Sequence, residues 1–241
     1  MIPRLEGGRF SRRCSAEKQS LVGKDVEVCW LANREFVVID FEAVTPVGRS
    51  PIPIELAAVS FTSGSVAPPI VLVDQLIRLD DVSLLLPFDV QQTGITADML
   101  AWAPDAREVL EALAMRVRPG ATIVAHNAAF ERSVLRGVDG CPPSLSDASL
   151  ADTLRLSRKL RPANRSHSLD ALAREFAIAV PSNRHRALAD ALPTCRVLQR
   201  LFDVVKSDSS IRSWHELIGI MRLPARAQRA TQIIEQRSLF D

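Results

Sequence analysis

The chain has 241 residues, 47% of them apolar, with 28 acidic and 30 basic side chains and a formal net charge of +2. That is enough for one α/β domain of ordinary size plus extensions. A charge so near balance neither demands nor excludes nucleic acid, and no apolar run is long enough to read as a membrane span.

Residues 1–24 carry six basic side chains against Glu6 and Glu17, without apolar periodicity. Residues 1–34 therefore read as a basic N-terminal extension, expected to be partly mobile. They contain no apolar h-region, so no secretory signal is expected. "FVVIDF" (36–41) has the β-branched and aromatic content of a buried strand. "VTPVGRSPIP" (44–53) is turn chemistry. "IELAAVSF" (54–61) and "IVLVDQLIRL" (70–79) read as the second and third strands. Strand, turn, strand, turn, strand predicts an antiparallel meander. "DAREVLEALAMRV" (105–117) then has helical spacing, with Pro104 ahead of it. "ATIVAH" (121–126) is a further strand. Helical patterns follow at 127–137, 150–160, 168–176 and 186–202, with Pro193 inside the last. The whole predicts an α/β domain, a mixed sheet flanked by helices, over residues 35–204. Residues 205–241 read as a linker and a helical tail. The cysteines Cys14, Cys29, Cys141 and Cys195 are scattered and form no CxxC pair. That fits a reducing cytoplasm and argues against a zinc knuckle or a disulfide framework.

The acids carry the chemistry. Asp40 and Glu42 stand two apart at the end of the first strand, so their side chains share one face. Such a pair is costly unless a cation or a basic side chain lies between the carboxylates. Glu131 falls in the first turn after the "ATIVAH" strand. Asp190 is early in the last helix of the domain, with His185 just ahead of it. Four carboxylates, one histidine and no cysteine suit hard divalent cations, Mg²⁺ or Mn²⁺. Two such ions about 4 Å apart are a common device for phosphodiester cleavage, and a histidine can take the proton of the attacking water.

"VIDFE", "AHNAAFE" and "HRALADA", in this order and at these separations, resemble the three motifs of the DEDDh exonucleases. That group includes the proofreading ε subunit of bacterial DNA polymerase III and RNase T. Residues 152–178 also resemble the stretch between the second and third motifs of ε-like proteins. The resemblance spans roughly residues 36–202. It implies an RNase H-like mixed five-stranded sheet with the first three strands antiparallel. It also implies two metal ions, with Asp40 bridging both. Glu42 and Asp190 would complete the tighter site, and Glu131 would stand near the second metal, where the family usually has Asp. His185 would be the general base, since the five-residue spacing to Asp190 matches the histidine branch and the chain has no tyrosine. Asn127 is expected to cap the helix bearing Glu131. Glu55, the lone acid of the second strand, and His126 read as structural. Asp152 reads as a helix cap or as a residue near the metals.

The implied function is 3′→5′ exonuclease action on DNA 3′ ends, in proofreading or repair. The alternatives are an RNA exonuclease like RNase T or oligoribonuclease, or a non-catalytic binding module on the same fold. In the tail, Gln236, Leu239 and Phe240 of "QRSLFD" resemble the Q-x-[SD]-L-F peptide that binds the bacterial sliding clamp. A Leu-Phe pair offers a compact apolar anchor for such a partner.

Overall fold

The computed structural model describes residues 30–181, 185–208 and 210–223. Most of the basic extension, and the clamp-like peptide with Gln236, Leu239 and Phe240, lie outside the described residues.

Five strands form one mixed sheet in the order β3-β2-β1-β4-β5. β1 (Glu35–Val44), β2 (Ile52–Thr62) and β3 (Ile70–Leu76) make the antiparallel meander that the sequence predicts. β4 (Thr122–Ala125) runs parallel to β1, and β5 (Ala151–Asp152) parallel to β4. The helices are α1 (Pro87–Thr93), α2 (Ala97–Leu100), α3 (Ala106–Arg116), α4 (Ala129–Gly137), α5 (Pro143–Ser146), α6 (Thr153–Leu160), α7 (Leu169–Glu175), α8 (Ala187–Ser207) and α9 (Trp214–Met221).

Strand alternation sorts β1 between two cores. Phe36 and Val38 face α8 and α9, packing with Val197, Leu198, Leu201 and Met221. Val37, Ile39 and Phe41 face α3 and α4, packing with Leu110, Leu113, Val134 and Leu135. Both faces of the strand are therefore dry until Asp40, where the first of these faces turns polar.

Local chemistry sets the helix starts. Asp105 caps α3 in a reciprocal box. Its Oδ1 accepts from the Glu108 N–H at 2.8 Å, and Glu108 Oε2 accepts from the Asp105 N–H at 3.1 Å. The Ser168 hydroxyl accepts from the Ala171 N–H at 3.3 Å and starts α7.

Three segments differ from the periodicity reading. The stretch read as helix from residue 150 opens with β5, a two-residue strand too short to show a period of two. Residues 81–103, which show no clear pattern, fold into a 3₁₀ turn and the short helices α1 and α2. These pack Leu84, Ile95 and Leu100 against Val44 and Ile54 at the far end of β1. Finally, α8 continues through Pro193 to Ser207, into the stretch read as a linker.

Helix α9 then folds back on the domain. Arg155 Nε donates to the Ile220 carbonyl at 3.0 Å, and Ala151 of β5 bridges to Arg222. The Arg34 guanidinium lies 4.1 Å from the Trp214 ring centre, and that ring meets Phe36 edge-on. Among the described residues, no helix is long and apolar enough to cross a membrane.

Candidate active site

The site lies just beyond the carboxyl end of β4, where β1, parallel to it, runs on through Asp40 and Glu42. In open α/β sheets this carboxyl end is where crevices form. Asp40 and Glu42 follow the β1 alternation onto the face that α8 covers. Helix α8 brings Asp190 down onto them from its first turn. Asp40, Glu42 and Asp190 each offer a carboxylate oxygen, and these oxygens all lie within 4.8 Å of one another. Three converging carboxylates repel one another at neutral pH, and a hard cation between them removes that repulsion.

Glu131 arrives from the other side of the sheet. The chain leaves β4 through Asn127, which takes a left-handed conformation (φ 67°) tolerated by asparagine. The Phe130 N–H then donates to the Asn127 carbonyl at 3.0 Å, and α4 begins. Asn127 is not the cap that the sequence predicts. The N-cap position is Ala128, whose methyl side chain makes no cap bond. Asp152 does that work from β5. Its Oδ1 accepts from the Asn127 N–H at 3.0 Å and from the Leu154 N–H at 2.8 Å, so one carboxylate orders the turn before α4 and the start of α6. Burial raises the Asp152 carboxyl above its ordinary value, against the pull of the Leu154, Asn127 and Ala128 backbone N–H groups.

Glu131 is 3% exposed, and its Oε2 is buried with no hydrogen-bond partner. Burial holds this carboxyl well above the ordinary carboxylate range. Its backbone hydrogen bond opposes the shift, while Asp152 and Glu42 add to it. A buried carboxylate oxygen without a hydrogen-bond partner, acted on by the charges of Asp152 and Glu42, is costly for the protein alone. It stands outside the group of three, near enough to Glu42 to feel its charge, and would be open to a second divalent cation if Asp40, Glu42 and Asp190 held the first. The residues present therefore fit divalent metals.

His185 is exposed, immediately before α8, in a left-handed conformation (φ 62°). His126 instead points back into the fold, its Nδ1 2.8 Å from the Thr153 hydroxyl.

Two further residues belong to the surroundings of the site. Glu55 of β2 is the register partner of Glu42 and is 2% exposed. Arg186 binds it through Nη2–Oε1 at 2.6 Å and Nε–Oε1 at 2.9 Å, and the Ala187 N–H donates to Oε2 at 2.8 Å. The hydrogen bond to Glu55 raises the Arg186 guanidinium above its usual range, and the charges of Glu55, Asp74 and Glu42 act the same way despite partial burial. A single acid inside the apolar run "IELAAVSF" was the readable signal for Glu55. Arg186 carried none beyond standing next to His185.

A mixed five-stranded sheet with an acid cluster on β1 is the arrangement of the exonuclease fold class. The profile of the Exonuclease (RNase T) family matches residues 37–198, and the chain belongs to that family. It is 34% identical over 172 residues to DNA polymerase III PolC-type of Latilactobacillus sakei, covering 71% of this chain and 11% of that protein. It is 36% identical over 115 residues to a DNA polymerase III subunit epsilon-like protein of Rhodobacter capsulatus, covering 47% of this chain and 16% of that one. The chain thus spans a small part of the length of these relatives. Among solved structures, exonuclease X in complex with 5′ overhanging duplex DNA superposes with a TM-score of 0.56 at 24% identity, covering 77% of this chain and 98% of that one. The nuclease domain of 3′hExo, a DEDDh family member bound to rAMP, gives 0.58 at 17%, covering 71% and 92%. These two likenesses bear on the fold alone.

Proposed function

We propose that the protein is a metal-dependent 3′→5′ exonuclease acting on DNA 3′ ends and releasing nucleoside 5′-monophosphates. The observation that carries this reading is the convergence of Asp40, Glu42 and Asp190, together with the buried, unpartnered oxygen of Glu131 on α4. Asp40, Glu42 and Asp190 would hold one Mg²⁺ or Mn²⁺, and Asp40 with Glu131 the second. Bound there, such ions lower the pKa of a water and offset charge on the scissile phosphate and the departing oxygen. His185 accepts the water's proton at a ring nitrogen as the water oxygen bonds to phosphorus. The 3′ oxygen of the preceding nucleotide leaves and is protonated, so the strand ends in a new 3′-hydroxyl. Relatives named DNA polymerase III PolC-type and subunit epsilon-like favour DNA over RNA, and the proposed role is replication proofreading or repair, in the cytoplasm. Gln236, Leu239 and Phe240 would tether the enzyme to a bacterial sliding clamp.

The test uses 5′-labelled and 3′-labelled DNA, single- and double-stranded, with matched RNA, in Mg²⁺, Mn²⁺ or chelator, with and without clamp. Stepwise shortening from the 3′ end with release of mononucleotides supports the reading. Faster degradation of the RNA moves the assignment to an RNA exonuclease. Absence of metal-dependent hydrolysis, with activity restored by Glu131→Asp, shows a decayed site.

A further inference from the structure

One end of the sheet face beneath α8 is crowded with acids. By strand register, Glu42 on β1 lies opposite Glu55 on β2, and Ala57 on β2 lies between Asp40 on β1 and Asp74 on β3. Like charges placed directly opposite one another destabilise a strand pair. Arg186 is the cation that answers them. Its guanidinium grips Glu55, while Glu42 and Asp74 are close enough to favour its charge.

Helix α8 has no cap of its own, because Arg186 occupies the N-cap position without a side-chain cap bond. The Glu55 carboxylate supplies it from the sheet, accepting the Ala187 N–H at the first turn. A carboxylate there also answers the positive end of the helix dipole. The same Arg186 offers its carbonyl to the Asp190 N–H at 3.1 Å. His185, one residue earlier, holds a left-handed backbone that is strained for a non-glycine residue. Such a conformation persists where its neighbours determine it.

We propose that Glu55 and Arg186 are a positioning pair that sets the start of α8, and with it His185 and Asp190, against Asp40 and Glu42. Neither residue touches the reacting atoms. Resting on the exonuclease reading for its catalytic consequence, the pair has a structural consequence that does not depend on it.

Full-length Glu55→Gln and Arg186→Gln are compared with wild type by amide hydrogen exchange, Mn²⁺ titration calorimetry, and kcat and KM on a 5′-labelled single-stranded oligonucleotide. Glu55→Gln keeps the side-chain shape while removing charge, and Arg186→Gln removes the guanidinium and leaves a shorter neutral amide. Exchange at Asp190 and its neighbouring amides should quicken at least about tenfold, with β1 unchanged. Mn²⁺ should bind more weakly in both variants. The kcat should fall between about ten- and a hundredfold with KM little changed, as for a misplaced catalytic group. The double variant should lose no more than the worse single one, because the two residues act as one unit. Unchanged exchange in both variants overturns the proposal, as does a loss of kcat without faster exchange. If wild type hydrolyses nothing but exchange quickens as stated, the nuclease reading fails and the positioning pair stands.

Discussion

Glu42 and Glu55 are register partners across β1 and β2, yet their carboxylates are committed differently. Glu55 is buried and saturated by Arg186 and the Ala187 N–H. Glu42 joins Asp40 and Asp190, with oxygens within 4.8 Å of one another. One acid of the pair is committed to the start of α8, and the other stands in the acid cluster.

Asp40→Asn tests the converging acids directly. The amide has the same shape and the position is half-exposed, so circular dichroism and thermal melting should match wild type. Hydrolysis of labelled DNA should fall at least about a thousandfold, equivalent to about 4 kcal/mol of barrier. Near-normal activity would remove Asp40 from the site.

Glu131 makes stability depend on pH in an unusual direction. Its folded carboxyl is raised well above the ordinary value of 4.5. Above that pH the unfolded chain releases a proton that the folded chain keeps, so metal-free stability falls as pH rises from 4.5 towards the folded pKa. Asp152 is also raised and contributes with the same sign. Glu131→Gln should therefore melt higher than wild type at neutral pH in chelator and show a weaker pH dependence. Added Mn²⁺ should stabilise wild type more than the variant, as binding linkage requires. Thermal scans across pH, with chelator or Mn²⁺, measure both effects.

Gly137 closes α4 against the loop between β1 and β2. A Cβ at this position would sit 2.7 Å from the Ser50 Cβ. Alanine favours helix over glycine by up to about 1 kcal/mol, but this contact reverses the sign. Gly137→Ala should destabilise by about 1–3 kcal/mol. For a chain of this size each kcal/mol lowers Tm by roughly 2–4 °C, readable by differential scanning calorimetry.

Trp214 fastens α9 to the domain. Its ring lies under the Arg34 guanidinium at 4.1 Å and meets Phe36 with ring centres 5.9 Å apart. Trp214→Ala should cost about 2–4 kcal/mol. In urea the midpoint should fall while the slope stays constant if the domain still unfolds in one step.

Much of this was legible in the chain itself. Near-continuous apolar runs in residues 36–41 and 54–61, rich in β-branched and aromatic side chains, located the strands that hold the sheet together, and the two-residue spacing of Asp40 and Glu42 placed them on one face. Ser168 at a helix start was legible for the same reason, since a cap is a contact between near neighbours. Asn127 was misread. Its side chain has the right chemistry for a cap, but Asp152, 25 residues further on, had already taken the backbone N–H groups of that turn. The two-residue β5 could not be seen at all, because hydrogen bonding to β4 defines it and its own residues have no pattern.

The sequence by itself determined the strand meander, the helical segments and the order of the acids along the chain, because these depend on spacing between near neighbours. The tertiary structure alone decided which carboxylates converge, which one is sealed without a partner, and which is bound by arginine. Those distinctions arise where β1, β2, α4 and α8 meet. Burial and charge there depend on residues up to 132 positions apart, the separation of Glu55 from the Ala187 N–H.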